Sequence, residues 1–201
     1  MNRTKRPIVG LLTVLVAISC SGPPAFADDG GDGNNTAIVE NYKDGAFRSR
    51  ARVDLEHERG PTVDNENVAI AYSECTDCRT VAVAVQAIII EGDVNDFRPG
   101  NAAAAANVNC LRCQTFAFAR QEVLLADRKV PLSDDAEARY DSIQQQIRDV
   151  SRSDASFDDL TVQLDSLVDE LVAVLQAEVD RAGTHADKET KRDVKRDEHD
   201  D

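Results

Sequence analysis

From about residue 36 to residue 125, apolar and polar positions alternate, the period-two signature of strands with two distinct faces. The apolar runs fall in pairs. Thr36–Val39 and Ala46–Arg48 flank Asn41-Tyr42-Lys43-Asp44-Gly45, whose Asp-Gly step is a turn signal because Gly45 accepts positive φ. Asn67–Ser73 and Thr80–Glu91 flank Glu74-Cys75-Thr76-Asp77-Cys78-Arg79, and Ala102–Asn109 and Thr115–Leu125 flank Cys110-Leu111-Arg112-Cys113-Gln114. The spacing predicts three strand–bend–strand units, at about 36–55, 67–91 and 102–125, within a β domain spanning 36–128. Strands joined by such short bends are expected to pair as antiparallel hairpins, stacked or in a meander.

The units are copies. Cys75, Cys78, Thr80, Ala82, Ala84 and Gln86 recur as Cys110, Cys113, Thr115, Ala117, Ala119 and Gln121, each at an offset of 35. All but the cysteines occupy alternate positions and so share one strand face. Asn67, Ala69 and Ala71 continue that small, amide-bearing face on the preceding strand. A face of Ala with spaced Asn, Thr and Gln lets sheets approach closely while the amides hydrogen-bond in register. The first unit reads as a degenerate, cysteine-free copy.

From Pro131 the period becomes helical. Leu132, Ala136, Tyr140, Ile143, Ile147 and Val150 form one stripe, with Ser133 as N-cap and acidic residues in the first turn. Phe157, Leu160, Leu164, Leu167, Leu171 and Val174 form a second. The expected fold class is therefore α+β, with hairpin repeats followed by an antiparallel helical hairpin over 131–182. The hairpin either covers a sheet face or joins this chain to another copy. Residues 183–201 are charged almost throughout and are expected to be disordered.

The N-terminus changes where this chain works. Arg3, Lys5 and Arg6 precede an apolar run from Pro7 to Ser19, and Ala25-Phe26-Ala27 forms a small-x-small cleavage site, the three parts of a secretory signal peptide over 1–27. The run is shorter than the roughly 20 residues a membrane helix needs. An alternative reads Ala17-Ile18-Ser19-Cys20 as a degenerate lipobox with Cys20 as a lipid anchor. Residues 28–35 then form a flexible leader. Of 201 residues, 23 are Lys or Arg and 37 are Asp or Glu, a net charge of -14. Losing the three n-region cations takes the mature chain to -17. Such a balance argues against nucleic acid as a partner.

Four cysteines remain in an exported product, as two Cys-x-x-Cys pairs at equivalent bends. One reading joins Cys75 to Cys78 and Cys110 to Cys113 as disulfides that fix bend geometry, in keeping with an oxidising compartment and an even count. A second gathers all four thiolates about zinc, as ribbons with two such turns do. A third is redox chemistry, although a reactive pair usually sits at a helix N-terminus rather than between strands. Other catalytic patterns are incomplete. His57-Glu58-Arg59-Gly60-Pro61 opens like a zinc-peptidase motif but has Pro61 where the second histidine belongs. No catalytic residue is expected.

The string Asn35-Thr36-Ala37…Lys43-Asp44-Gly45, Cys75-Thr76-Asp77-Cys78-Arg79-Thr80-Val81-Ala82-Val83-Ala84-Val85-Gln86 and Cys110-x-x-Cys113-Gln114-Thr115-x-Ala117-x-Ala119 resembles a module of exported actinobacterial proteins. That module occurs alone, or as the C-terminal extracytoplasmic part of multi-spanning proteins described as peptide zinc metalloproteases. The resemblance covers about residues 35–175 and departs at Arg120 and in the alanine-rich run before Cys110. The peptidase motif and membrane helices of those larger proteins have no counterpart in this sequence, so no catalytic residue carries over. The resemblance implies an exported non-catalytic structural or binding module with a protein or peptide partner, a membrane peptidase among the candidates. Zinc binding or redox activity at the four cysteines is the alternative.

Overall fold

The computed structural model describes residues 33–183 and 188–199. The segment read as a signal peptide, Cys20 and the expected leader up to residue 32 lie outside the described residues. The protein is mixed α+β, but its strands run parallel. β1 (Asn35–Asn41), β4 (Glu66–Ser73) and β7 (Gly100–Asn107) form one sheet in that order. β2 (Phe47–Glu58), β5 (Arg79–Glu91) and β8 (Cys113–Ala126) line a second sheet, and the short β3 (Thr62–Val63) and β6 (Asp96–Phe97) pair on a third side. Each passage through the first two sheets is one coil, and the three coils stack as a short β-solenoid.

This corrects the expected antiparallel hairpins. Tyr42–Ala46, Glu74–Cys78 and Val108–Arg112 are corners that carry the chain from one sheet to the other. A five-residue link suits a hairpin or a corner equally, and alternation does not specify strand direction. The deciding signal was the constant offset, because stacked coils place like residue over like. Thr80 pairs with Thr115, Ala82 with Ala117, Ala84 with Ala119 and Gln86 with Gln121. The sequence duplication is the register of the parallel sheet.

The two large sheets interleave, β1 lying against β2 and β5, β4 against β5 and β8, and β7 against β8. Between them lies a core of Ala37, Val39, Ala69, Ala71, Ala82, Ala84, Ala103, Ala117 and Ala119. Such small side chains bring the backbones close enough for amides to bridge them. Asn35, Asn67 and Asn101 stack in a ladder, with Asn35 Nδ2 donating to Asn67 Oδ1 at 2.8 Å and Asn67 Nδ2 to Asn101 Oδ1 at 2.7 Å. Their remaining amide hydrogens cross to the carbonyls of Val85, Ala84 and Ala119 in the facing sheet. Gln121 Nε2 donates to Gln86 Oε1 at 2.8 Å in a second ladder. Ser73 joins Thr80 and Thr115 in a third. The interior is polar yet nearly every group has a partner, as a buried network requires.

The other face of the second sheet carries Val81, Val83, Val85, Ile89, Phe116, Phe118 and Leu124. It packs under α1 (Asp134–Ser151) and α2 (Phe157–Arg181). Ser133 and Ser156 cap these helices, each hydroxyl accepting an N–H three residues on. Arg120 points into this layer and is held there by Glu122 at 2.7 Å and Asp169 at 2.5 Å.

The charged C-terminal segment is not disordered over its described part, a second correction. β9 (Lys188–His199) pairs antiparallel with β8 and closes the last coil. Its alternating carboxylates meet the open edge of the first sheet, Asp193 Oδ2 accepting the Ala103 N–H at 3.0 Å and Asp197 Oδ2 the Asn107 N–H at 2.7 Å. Arg192 and Arg196 turn the other way, to Asp165 and Asp158 on α2. Low hydrophobicity argued for disorder, but a charged strand needs no apolar face when its inward carboxylates meet backbone donors and its outward arginines meet carboxylates. The leader's last residues are also fixed, since the Gly33 carbonyl accepts from Asn65 and Gln86.

Candidate functional site

The cysteines occupy the corner between the sheets in the second and third coils. The same corner position has positive φ in every coil, at Gly45 (66°), Asp77 (55°) and Arg112 (53°). The side chains of Asp77 and Arg112 meet above it, Arg112 Nε and one terminal nitrogen donating to Asp77 at 2.5 and 2.6 Å. This pairing holds two non-glycine residues in a backbone region they otherwise avoid. Backbone bonds continue the stack through the corner, Asp77 N–H to Leu111 O at 2.9 Å and Gln114 N–H to Cys78 O at 2.9 Å.

The coils place Cys75 beside Cys110 and Cys78 beside Cys113, so the four sulfurs form a two-by-two array. All four lie within 4.8 Å of one another, a donor set that could hold a metal ion. Cys75 and Cys78 are joined as a disulfide, with S–S 2.09 Å. Cys110 and Cys113 are free thiols, so the second expected disulfide is not formed. Within the third coil each of these sulfurs has turned toward the second coil. Cys113 Sγ lies 3.0 Å from Cys78 Sγ and 2.8 Å from the Cys75 carbonyl. Cys110 Sγ lies 3.2 Å from the Ser73 carbonyl and receives the Cys75 N–H at 3.4 Å. Burial, with Cys113 beside it, pushes the Cys110 thiol up from its ordinary pKa. Cys75, Cys78 and Cys113 are buried.

In searches of protein-family models, curated proteins and solved structures, nothing matches this chain. Among the described residues, no helix is long and apolar enough to cross a membrane.

The other residues singled out by sequence are scaffold. Asn67, Thr80, Gln86, Thr115 and Gln121 build the ladders, and Ala82, Ala84, Ala117 and Ala119 the close-packed core. His57 Nδ1 meets Glu91 Oε1 at 3.0 Å, and Glu58 accepts from Asn65, so the His-Glu pair serves neighbouring strands. Glu91 itself was missed. Its buried carboxylate gathers the Val130 N–H, Arg59 and His57; burial raises its pKa, but these donors outweigh burial and hold it below the ordinary value. Asn35 and Asn101 were missed as ladder members because their offsets from Asn67 are 32 and 34, not 35.

Proposed function

We propose that this chain is an exported, non-catalytic structural module whose cysteine corner is a covalent staple. The observation that carries this is the set of groups facing the sulfurs. Carbonyl oxygens of Asn41, Ser73 and Cys75 approach Cys75, Cys110 and Cys113 at 3.1, 3.2 and 2.8 Å. At Cys75 and Cys113 the negative ends of these dipoles favour S–H or a neutral disulfide and oppose the thiolates that zinc needs, and at Cys110 burial outweighs the N–H that Cys75 donates. A zinc–tetrathiolate with bonds of about 2.3 Å also sets its sulfurs about 3.8 Å apart, so Cys78 and Cys113 would have to separate. Redox catalysis is supported no better, since Cys113 is buried and the Cys110 pKa is raised rather than lowered.

The stack itself is the working part in this reading. Its solid, hydrogen-bonded interior makes a rigid platform, and a partner protein of the cell envelope, such as the membrane peptidase suggested by the resemblance, is the ligand class it serves. Thiol titration and metal analysis of the exported, mature chain test the staple. A disulfide in every molecule with no zinc is the expected result. Four thiols released from one stoichiometric zinc by a chelator would overturn it.

A further inference from the structure

The staple has a second place to sit. Cys78 and Cys113 stand in register on adjacent coils, since Arg79 pairs with Gln114 and the Cys78 carbonyl takes the Gln114 N–H at 2.9 Å. Adjacent strands lie about 4.8 Å apart, inside the 4.4–6.8 Å Cα range that a disulfide spans. The free Cys113 sulfur is already 3.0 Å from a sulfur of the existing bond. We propose that the disulfide migrates between coils, from Cys75–Cys78 to an inter-coil Cys78–Cys113 bridge.

The step is an internal thiol–disulfide exchange. Cys113, as thiolate, attacks Cys78 Sγ; the Cys78–Cys113 bond forms as the Cys75–Cys78 bond breaks, and the electron pair leaves on Cys75. The proton given up by Cys113 is balanced by the one Cys75 takes up, so the chain needs no oxidant or reductant. Solvent access is not needed either, which suits a buried Cys113. The released Cys75 thiol keeps a partner in place, because its sulfur already faces the Asn41 carbonyl at 3.1 Å. The two bridges differ in what they hold. Cys75–Cys78 closes a loop with a sequence separation of 3 and fixes one corner, whereas Cys78–Cys113, separated by 35, fastens the second coil to the third. Chain-entropy bookkeeping makes the longer loop the stronger constraint on the unfolded chain.

This inference rests on the staple reading. The mature folded chain is held at pH 7, 8 and 9 without denaturant, quenched in acid, alkylated, digested and mapped by mass spectrometry. The Cys78–Cys113 cross-linked peptide is expected to grow at the expense of Cys75–Cys78, and to grow faster at the higher pH because a thiolate is the attacking species in exchange. C110S is expected to exchange as the parent does, and its circular dichroism checks its folding. Cys75–Cys78 as the sole bridge at every pH after a day, or paired only with Cys110–Cys113, overturns the migration while leaving the staple intact. A chain with zinc and no disulfide overturns both.

Discussion

The amide ladder is the feature on which the interior most depends, and Asn67 is its middle rung. The side chain is fully buried, accepts from Asn35 and donates to Asn101 Oδ1 and to the Ala84 carbonyl. In N67A three bonds vanish at once. An amide hydrogen of Asn35 and an oxygen of Asn101 then lose their partner, and the Ala84 carbonyl loses its side-chain donor, in a space closed by alanines. At about 1 kcal/mol or somewhat more for each group left unpaired, the loss is about 3–4 kcal/mol. For a chain of this size that is about 10 °C in Tm. Urea unfolding followed by circular dichroism measures it, with calorimetry as a second probe. N67L separates polarity from volume, since leucine fills the space of asparagine but pairs with nothing; it should be as damaging as alanine. A loss under about 1 kcal/mol in N67A, or recovery of most of the stability in N67L, would refute the claim that hydrogen bonding rather than packing sets this interior.

Two further outcomes test other parts of the stack. Glu91 has a folded pKa below its unfolded one, so its stabilisation is present above the unfolded value of about 4.3 and fades as pH falls through the folded value. E91Q should therefore lower Tm near neutrality, and the gap to the parent should close in acid; a gap that stays constant with pH would show that the charge is not what matters. A chain ending at Gly183 bares the β8 edge and the Ala103 and Asn107 amides. It should melt about 5 °C lower and associate on concentration, as read by light scattering, while D193N/D197N should show a smaller shift without association.

Strand positions, inward faces and the second and third coils could be read from sequence because each leaves a local or constant-offset mark. Thr80–Gln86 and Thr115–Gln121 differ by one insertion-free interval, and their identity became sheet register directly. The first coil could not be aligned so simply. Its offset to the second is 32, and Lys43 and Ala46 stand where the next coil has Cys75 and Cys78. Strand direction left no mark of its own, since a corner that changes sheets and a turn that reverses within one sheet ask for the same residues: a polar run and one position of positive φ. The array of sulfurs was hidden for the same reason. Two Cys-x-x-Cys bends were visible, but only parallel stacking puts one pair directly against the other.

A stack of parallel coils has two open ends, and the charge pattern at each shows how this chain closes them. An unpaired strand edge invites another strand, and natural sheets defend it with inward charges or a covering element. At the far end β9 supplies both, an added strand whose Asp193 and Asp197 occupy the amides of β7. At the near end β2 turns Arg48, Arg50, Arg52, Asp54, Glu56 and Glu58 to the side where β5 has Thr80, Ala82, Ala84, Gln86, Ile88 and Ile90. Burial first, then Asp54 and Glu58 nearby, lift the Glu56 carboxyl to about 7. Tyr140 and Gln144 of α1 reach over this edge to the Val53 carbonyl at 3.3 and 3.0 Å. Charge on β2, and charge that looked like a solvated tail in β9, is thus placed where an aliphatic row would recruit a neighbour. The charged row on β2 and the added strand β9 answer one requirement, that three coils end without a fourth.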